Sequence, residues 1–157
     1  MQKGVVIMEW LSSIRKAIDL IESNLTAPID LQQISEAAGI PPLLLQKGFS
    51  VMTGYSLCEY IRNRRLYQAA LELRSSSKKV IDIALDYGYE TPESFTKAFT
   101  RFHRATPSQV RSGAGIKGFF PLHITVSISG GNQMDVTIVK KEAMQVIGFQ
   151  REFSIIR

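Results

Sequence analysis

The sequence predicts a mainly α protein: seven helices forming a double helix-turn-helix domain, with a short C-terminal β segment. Three observations carry that prediction. Apolar residues recur at helical spacing as far as about residue 111, and beyond it they alternate as in strands. Capping signals divide the helical part into seven pieces. A unit of short helix, glycine turn and second helix occurs twice, at an offset of 49 to 50 residues.

The elements follow in order. From Glu9 to Asn24, Trp10, Leu11, Ile14, Ala17, Ile18 and Ile21 share one face, giving a first helix that Pro28 ends. Asp30 with Gln33 reads as a capping box for a short helix stopping at Gly39. Pro41 or Pro42 opens the third, which runs to about Met52. Ser56 and Glu59 form a second capping box, opening a long helix through Tyr60, Ile61, Leu66, Ala69, Ala70 and Leu73 that ends at Ser75-Ser76-Ser77. A short fifth helix runs from about Val80 to Gly88. Thr91-Pro92-Glu93 supplies a cap, a proline at the first helical position and an acid in the first turn of a sixth. That helix reaches Phe102 or His103, and Thr106-Pro107-Ser108-Gln109 opens the seventh.

Composition narrows the class. The chain has 157 residues, a net charge of +5 and one cysteine, so it holds one ordinary domain or two very small ones, without a disulfide framework or a Cys/His metal cluster. No apolar run reaches the roughly 18–20 residues of a membrane helix, and MQKGVVIMEW is not a signal peptide. A cytoplasmic, nucleoid-associated protein without cofactor or metal is expected. Residues 1–111 carry 14 basic and 11 acidic residues. Arg62, Arg64, Arg65, Arg74, Lys78 and Lys79 cluster against Glu72 alone, and the stretch from Ser94 to Met134 contains no acid.

The repeat matches Ile34 with Ile83, Ser35 with Ala84 and Gly39 with Gly88 at an offset of 49. At an offset of 50 it matches Leu45 with Phe95, Lys47 with Lys97, Phe49 with Phe99 and Ser56 with Thr106. A small residue in the first helix, a glycine turn and a second amphipathic helix make a helix-turn-helix pattern. Two copies, each followed by basic residues, favour DNA binding over a plain helical bundle.

On these residues the chain resembles a known family. The run ALDYGYETPESFTKAFTRFHRATPSQVR is similar to the signature region of AraC/XylS-type transcription regulators, and DLQQISEAAGIPPLLLQKGFSVMTGYSLCEYIRNRRLYQAALELR to the first half of the same domain. The resemblance covers residues 9–111. It implies two lobes joined by the long helix, reading successive major-groove segments about 34 Å apart. The first reading helix then presents Leu43, Leu44, Gln46 and Lys47, and the second presents Pro92, Glu93, Ser94, Thr96 and Lys97.

Chemistry suggests their roles. Gln46 suits adenine; Lys47 and Lys97 suit guanine or phosphate; Ser94 and Thr96 serve either base or backbone; the leucines suit a thymine methyl. Glu93 has two roles open, accepting from cytosine N4 or complementing the helix dipole. Arg62 and Arg111 match phosphate-holding positions, and Arg101 completes the phosphate set. The first lobe departs from the family in its Pro41-Pro42 start, its apolar leucine tip and Gly48 in mid-helix, which costs about 1 kcal/mol relative to alanine. Leu45, aligned with Phe95, is expected in the core.

Residues 112–121, with SGAGIKG at their start, read as a linker. In the segment 122–157, Leu122 to Ile128 and Met134 to Ile138 alternate as strands, and Met144 to Phe149 is a third candidate. MDVTIVKKEAMQVIGFQREF resembles the opening of a GyrI-like effector-binding domain, which implies bulky, often cationic, aromatic ligands. The segment is too short for such a pocket, so truncation is expected, with strand-mediated dimerisation the other possibility. Double-stranded DNA, RNA polymerase, a small-molecule effector and a second copy are the partners this reading implies.

No catalytic constellation is present: His103 and His123 have no acid or nucleophile at motif spacing, and phosphate-loop and nucleophile-elbow motifs are absent, so an enzyme is not expected. Cys58, beside Leu57, Tyr60 and Ile61, is expected in the core, although the first turn of a helix can lower a thiol pKa. Related lobes occur fused to alkyl-accepting repair proteins, but those need further cysteines. The alternative to a DNA-binding regulator is a ligand-binding or oligomerising module whose lobes contact protein.

Overall fold

A computed structural model describes residues 2–124, with side chains from Glu9 onward. Among the described residues the helices are α1 (Gln2–Ser23), α2 (Leu31–Ala38), α3 (Pro42–Thr53), α4 (Leu57–Ser75), α5 (Val80–Asp86), α6 (Pro92–His103) and α7 (Pro107–Arg111). Six agree with the sequence reading to within a residue or two. The first begins earlier than Glu9, because nothing between Gln2 and Glu9 breaks a helix except Gly4, which only weakens one.

Local chemistry explains the boundaries. Asp30 Oδ1 accepts from the Gln33 N–H at 2.8 Å while the Asp30 N–H donates to Gln33 Oε1 at 3.1 Å. Ser56 with Glu59 and Thr106 with Gln109 make the same reciprocal pair. Thr91 caps α6 by accepting from the Ser94 N–H at 3.1 Å. Gly39 and Gly88, the matching turn positions of the repeat, have φ of 68° and 80°, the left-handed region where glycine carries no Cβ penalty.

The repeat builds two lobes with separate cores. Ile14, Ile18, Ile21, Ile34, Leu45, Phe49, Leu57 and Tyr60 fill the first. Leu66, Ala69, Ala70, Leu73, Ile83, Phe95, Phe99 and Val110 fill the second. The expected pairs Leu45/Phe95 and Phe49/Phe99 are fully buried in equivalent places. Helix α4 belongs to both cores, with Leu57, Tyr60 and Tyr67 in the first and Leu66, Ala69, Ala70 and Leu73 in the second.

Past α7 the chain runs extended across the seam. Ile116 packs against both cores. Phe119 is buried in the first, edge-on to Tyr55 and Phe102, and Phe120 lies 4.9 Å from the Tyr67 ring. The stretch 112–121, read as a linker from its glycines, is therefore a packed strap over its second half: two phenylalanines bury area that the glycines do not forbid. Residues 122–124 have no strand pairing. The remaining strand candidates and the GyrI-like stretch lie outside the described residues.

Candidate nucleic-acid interface

Burial of one stripe on each second helix decides what the opposite stripe can do. On α3, Leu45 and Phe49 point into the core, which leaves Leu43 (65% exposed), Leu44 (54%), Gln46, Lys47 and Val51 facing water. On α6, Phe95, Phe99 and His103 point inward, and Glu93, Ser94, Lys97 and Arg101 are exposed, with Pro92 and Thr96 half-buried. Lys47 and Lys97 thus occupy equivalent exposed positions of the two units.

The polar groups differ in how free they are. Ser94 Oγ donates to the Thr91 carbonyl at 2.8 Å, so toward a ligand it offers lone pairs. Glu93 lies in the first turn of α6, where the helix dipole favours an acid. Gln46 lines a mainly apolar cavity of about 240 Å³ with Ile34, Leu57, Cys58 and Ile61. Cys58 is exposed, contrary to its expected place in the core: Leu57 and Tyr60 take the inward positions of that turn and turn Cys58 outward.

The arginines sort by helix face. Arg62 is exposed near Glu59, whose carboxyl is held below its usual range by hydrogen bonds from Ser56 and, less strongly, by Arg62. Arg111 is exposed, and its guanidinium donates to the Lys78 carbonyl. The basic cluster read around residues 62–79 is not one free patch. Arg64 is 1% exposed and bound to Glu22; Arg65 is half-buried, donating to the Ala27 carbonyl at 2.8 Å; Lys78 is paired with Glu72 and Asp86. Burial lowers the pKa of Arg65, partly offset by Tyr89. Tyr60, Arg64 and Tyr67 stand at i, i+4 and i+7 on the buried face of α4, a spacing in the sequence that does not by itself set Arg64 apart from its basic neighbours. Glu22, the carboxylate that makes the burial possible, carried no signal of its own.

Histidine 103 ties this face to the strap. Its Nδ1 accepts from the Lys117 N–H at 3.1 Å, so the neutral ring carries its proton on Nε2 and donates to the Leu66 carbonyl at 3.0 Å. Burial, then nearby Lys117, lower its pKa, against the opposing effect of the Leu66 bond. Among the described residues no helix is long and apolar enough to cross a membrane, and no group of three His, Cys, Asp or Glu could hold a metal ion.

A family model described as a helix-turn-helix domain matches residues 34–113. The chain is 36% identical over 98 residues to the regulatory protein SoxS of Salmonella typhimurium, covering 62% of this chain and 92% of that protein. A transcriptional regulator with an AraC-type DNA-binding domain from Chromobacterium violaceum superposes with a TM-score of 0.61 at 24% identity, over 64% of this chain and 89% of that one. The DNA-binding domain of the global transcriptional factor AdpA, solved in complex with a target DNA, superposes with a TM-score of 0.57 at 20% identity, over 64% and 90%.

Proposed function

The chain belongs to the AraC/XylS-type family of helix-turn-helix, DNA-binding transcription regulators, and from that membership we propose how it reads its site. Residues 9–111 form the DNA-binding unit. Helices α3 and α6 enter successive major-groove segments about one helical turn apart, held in register by α4. One molecule then reads a non-palindromic site. The observation that carries this reading is the equivalence of Lys47 and Lys97, exposed on the outer stripes of two helices whose inner stripes are buried.

Lys97, with Ser94 and Thr96, makes the base contacts of the second lobe, and Gln46 and Lys47 those of the first. Leu43 and Leu44 give α3 an apolar tip suited to thymine methyls. Glu93 serves the helix dipole and selects against phosphate at that spot. Arg62, Arg101 and Arg111 hold backbone phosphates, which set register and affinity without reading sequence. RNA polymerase is the expected protein partner at the promoter; an effector or a second copy would act through the C-terminal segment. A cytoplasmic location follows from this role.

The test is selection of bound duplexes from a random pool with the full chain, followed by anisotropy titration of the selected duplex. Lys97→Ala and Gln46→Ala should each relax preference at one position, by about 1–3 kcal/mol against the wrong base. Binding that ignores sequence overturns the reading.

A further inference from the structure

Between α4, α6 and the strap lies a cavity of about 290 Å³ lined by Arg62, Asn63, Leu66, Ala98, Arg101, Phe102 and Lys117. Three of these side chains are cations and none is a carboxylate. Arg62, Arg101 and Lys117 are in none of the ion pairs among the described residues, a state they share with exposed cations such as Lys47, Lys97 and Arg104, and the acid whose charge Arg62 feels is Glu59. Lys117 is held in place twice: its N–H is bound to His103, and its ammonium stands 4.9 Å from the centre of the Phe102 ring.

We propose that Arg62, Asn63, Arg101 and Lys117 form an anion site that takes a phosphate group at the seam between the lobes. Three cations line one cavity with no carboxylate among its walls, which favours a group with several charged oxygens. Arginine forks match such oxygens two at a time, Asn63 adds a neutral donor and Lys117 a point charge. Arg101 is one helical turn beyond Lys97 on α6, so a backbone phosphate flanking the bases read by α6 reaches the site; a free phosphate-bearing molecule offers the same chemistry. Lys117 is the new member. It comes from the strap, outside the two helix-turn-helix units, and makes the strap part of the binding surface. The backbone-phosphate version rests on the DNA-reading geometry above.

The experiment uses the full chain and its Lys117→Gln, Lys117→Arg and Arg101→Gln variants. Affinity for a selected and a scrambled duplex is measured between roughly 50 and 200 mM salt, and thermal midpoints are measured with inorganic phosphate and pyrophosphate without DNA. If the phosphate is the duplex's, Lys117→Gln and Arg101→Gln each weaken binding to both duplexes. Each then flattens the log–log salt slope by about one charge, and Lys117→Arg keeps the wild-type slope. If it is a free anion's, Lys117→Gln keeps the wild-type slope, Arg101→Gln still flattens it through its own backbone phosphate, and phosphate or pyrophosphate raises the midpoint of the wild type and not of either Gln variant. An unchanged slope for Lys117→Gln together with unchanged anion responses overturns the proposal. A wild type without sequence preference overturns the DNA-reading geometry instead, and the anion titration still decides the site.

Discussion

Arg64 grips Glu22 across the α4–α1 interface with two parallel hydrogen bonds, Nε to Oε1 at 2.8 Å and Nη2 to Oε2 at 2.7 Å. The same guanidinium donates to the Phe119 carbonyl, and the Tyr60 hydroxyl donates to Glu22 Oε1 at 2.7 Å while accepting from the Leu122 N–H at 3.2 Å. One buried cation thereby ties the first helix, the joining helix and the strap together. Burial, reinforced by Glu22, pushes the Tyr60 phenol well above its ordinary range, so it stays protonated as the donor this network needs.

Removing either partner strands the other. Glu22→Ala leaves a buried guanidinium without its carboxylate and should cost about 3–5 kcal/mol in urea unfolding followed by circular dichroism. The double replacement Glu22→Leu with Arg64→Met should recover most of that loss, because no uncompensated charge remains. A Glu22→Ala loss under 1 kcal/mol would show the pair to be incidental.

Phe119→Ala should destabilise by about 3–5 kcal/mol, the range for an aromatic removed from a core. A free linker residue would give within about 0.5 kcal/mol of zero. The same unfolding measurement separates the two.

Gly48 is half-buried against Trp10, and a methyl at its Cβ position would overlap the Trp10 ring. Helix propensity alone favours Gly48→Ala by about 1 kcal/mol. Overpacking should reverse the sign, to a net loss of about 1–2 kcal/mol, with a shift in the fluorescence of Trp10, the one tryptophan of the chain. In a Trp10→Leu background the same change should become neutral or stabilising.

His103 supplies a pH dependence. Its folded pKa lies below the ordinary 6.5, so as pH falls the unfolded chain takes the proton first. The contribution to stability is full above about pH 6.5 and is lost as pH drops through the folded pKa. Protonation puts a second N–H on the ring, facing the Lys117 N–H, so strap amides should exchange faster at acid pH. His103→Gln should flatten the stability profile in that window.

Much of this protein was legible in order of residues alone. The helix boundaries follow from caps formed by residues three apart, and the two lobes follow from a repeat whose buried pairs, Leu45/Phe95 and Phe49/Phe99, sit at helical spacing. Those interactions are local, so a linear pattern encodes them. The outward placement of Lys47 and Lys97 follows from the same periodicity, so their exposure was legible in the sequence.

Only the tertiary structure decided which cations are free. Arg62, Arg64 and Arg65 look alike in sequence, yet one is exposed, one is locked to Glu22 and one is spent on the Ala27 carbonyl, by partners 42 and 38 residues away. The reason Gly48 must be glycine lies in Trp10, and the strap's role lies in Phe119 meeting Tyr55, Tyr60 and Phe102. Contacts of that separation depend on how helices cross, and no periodicity records a crossing.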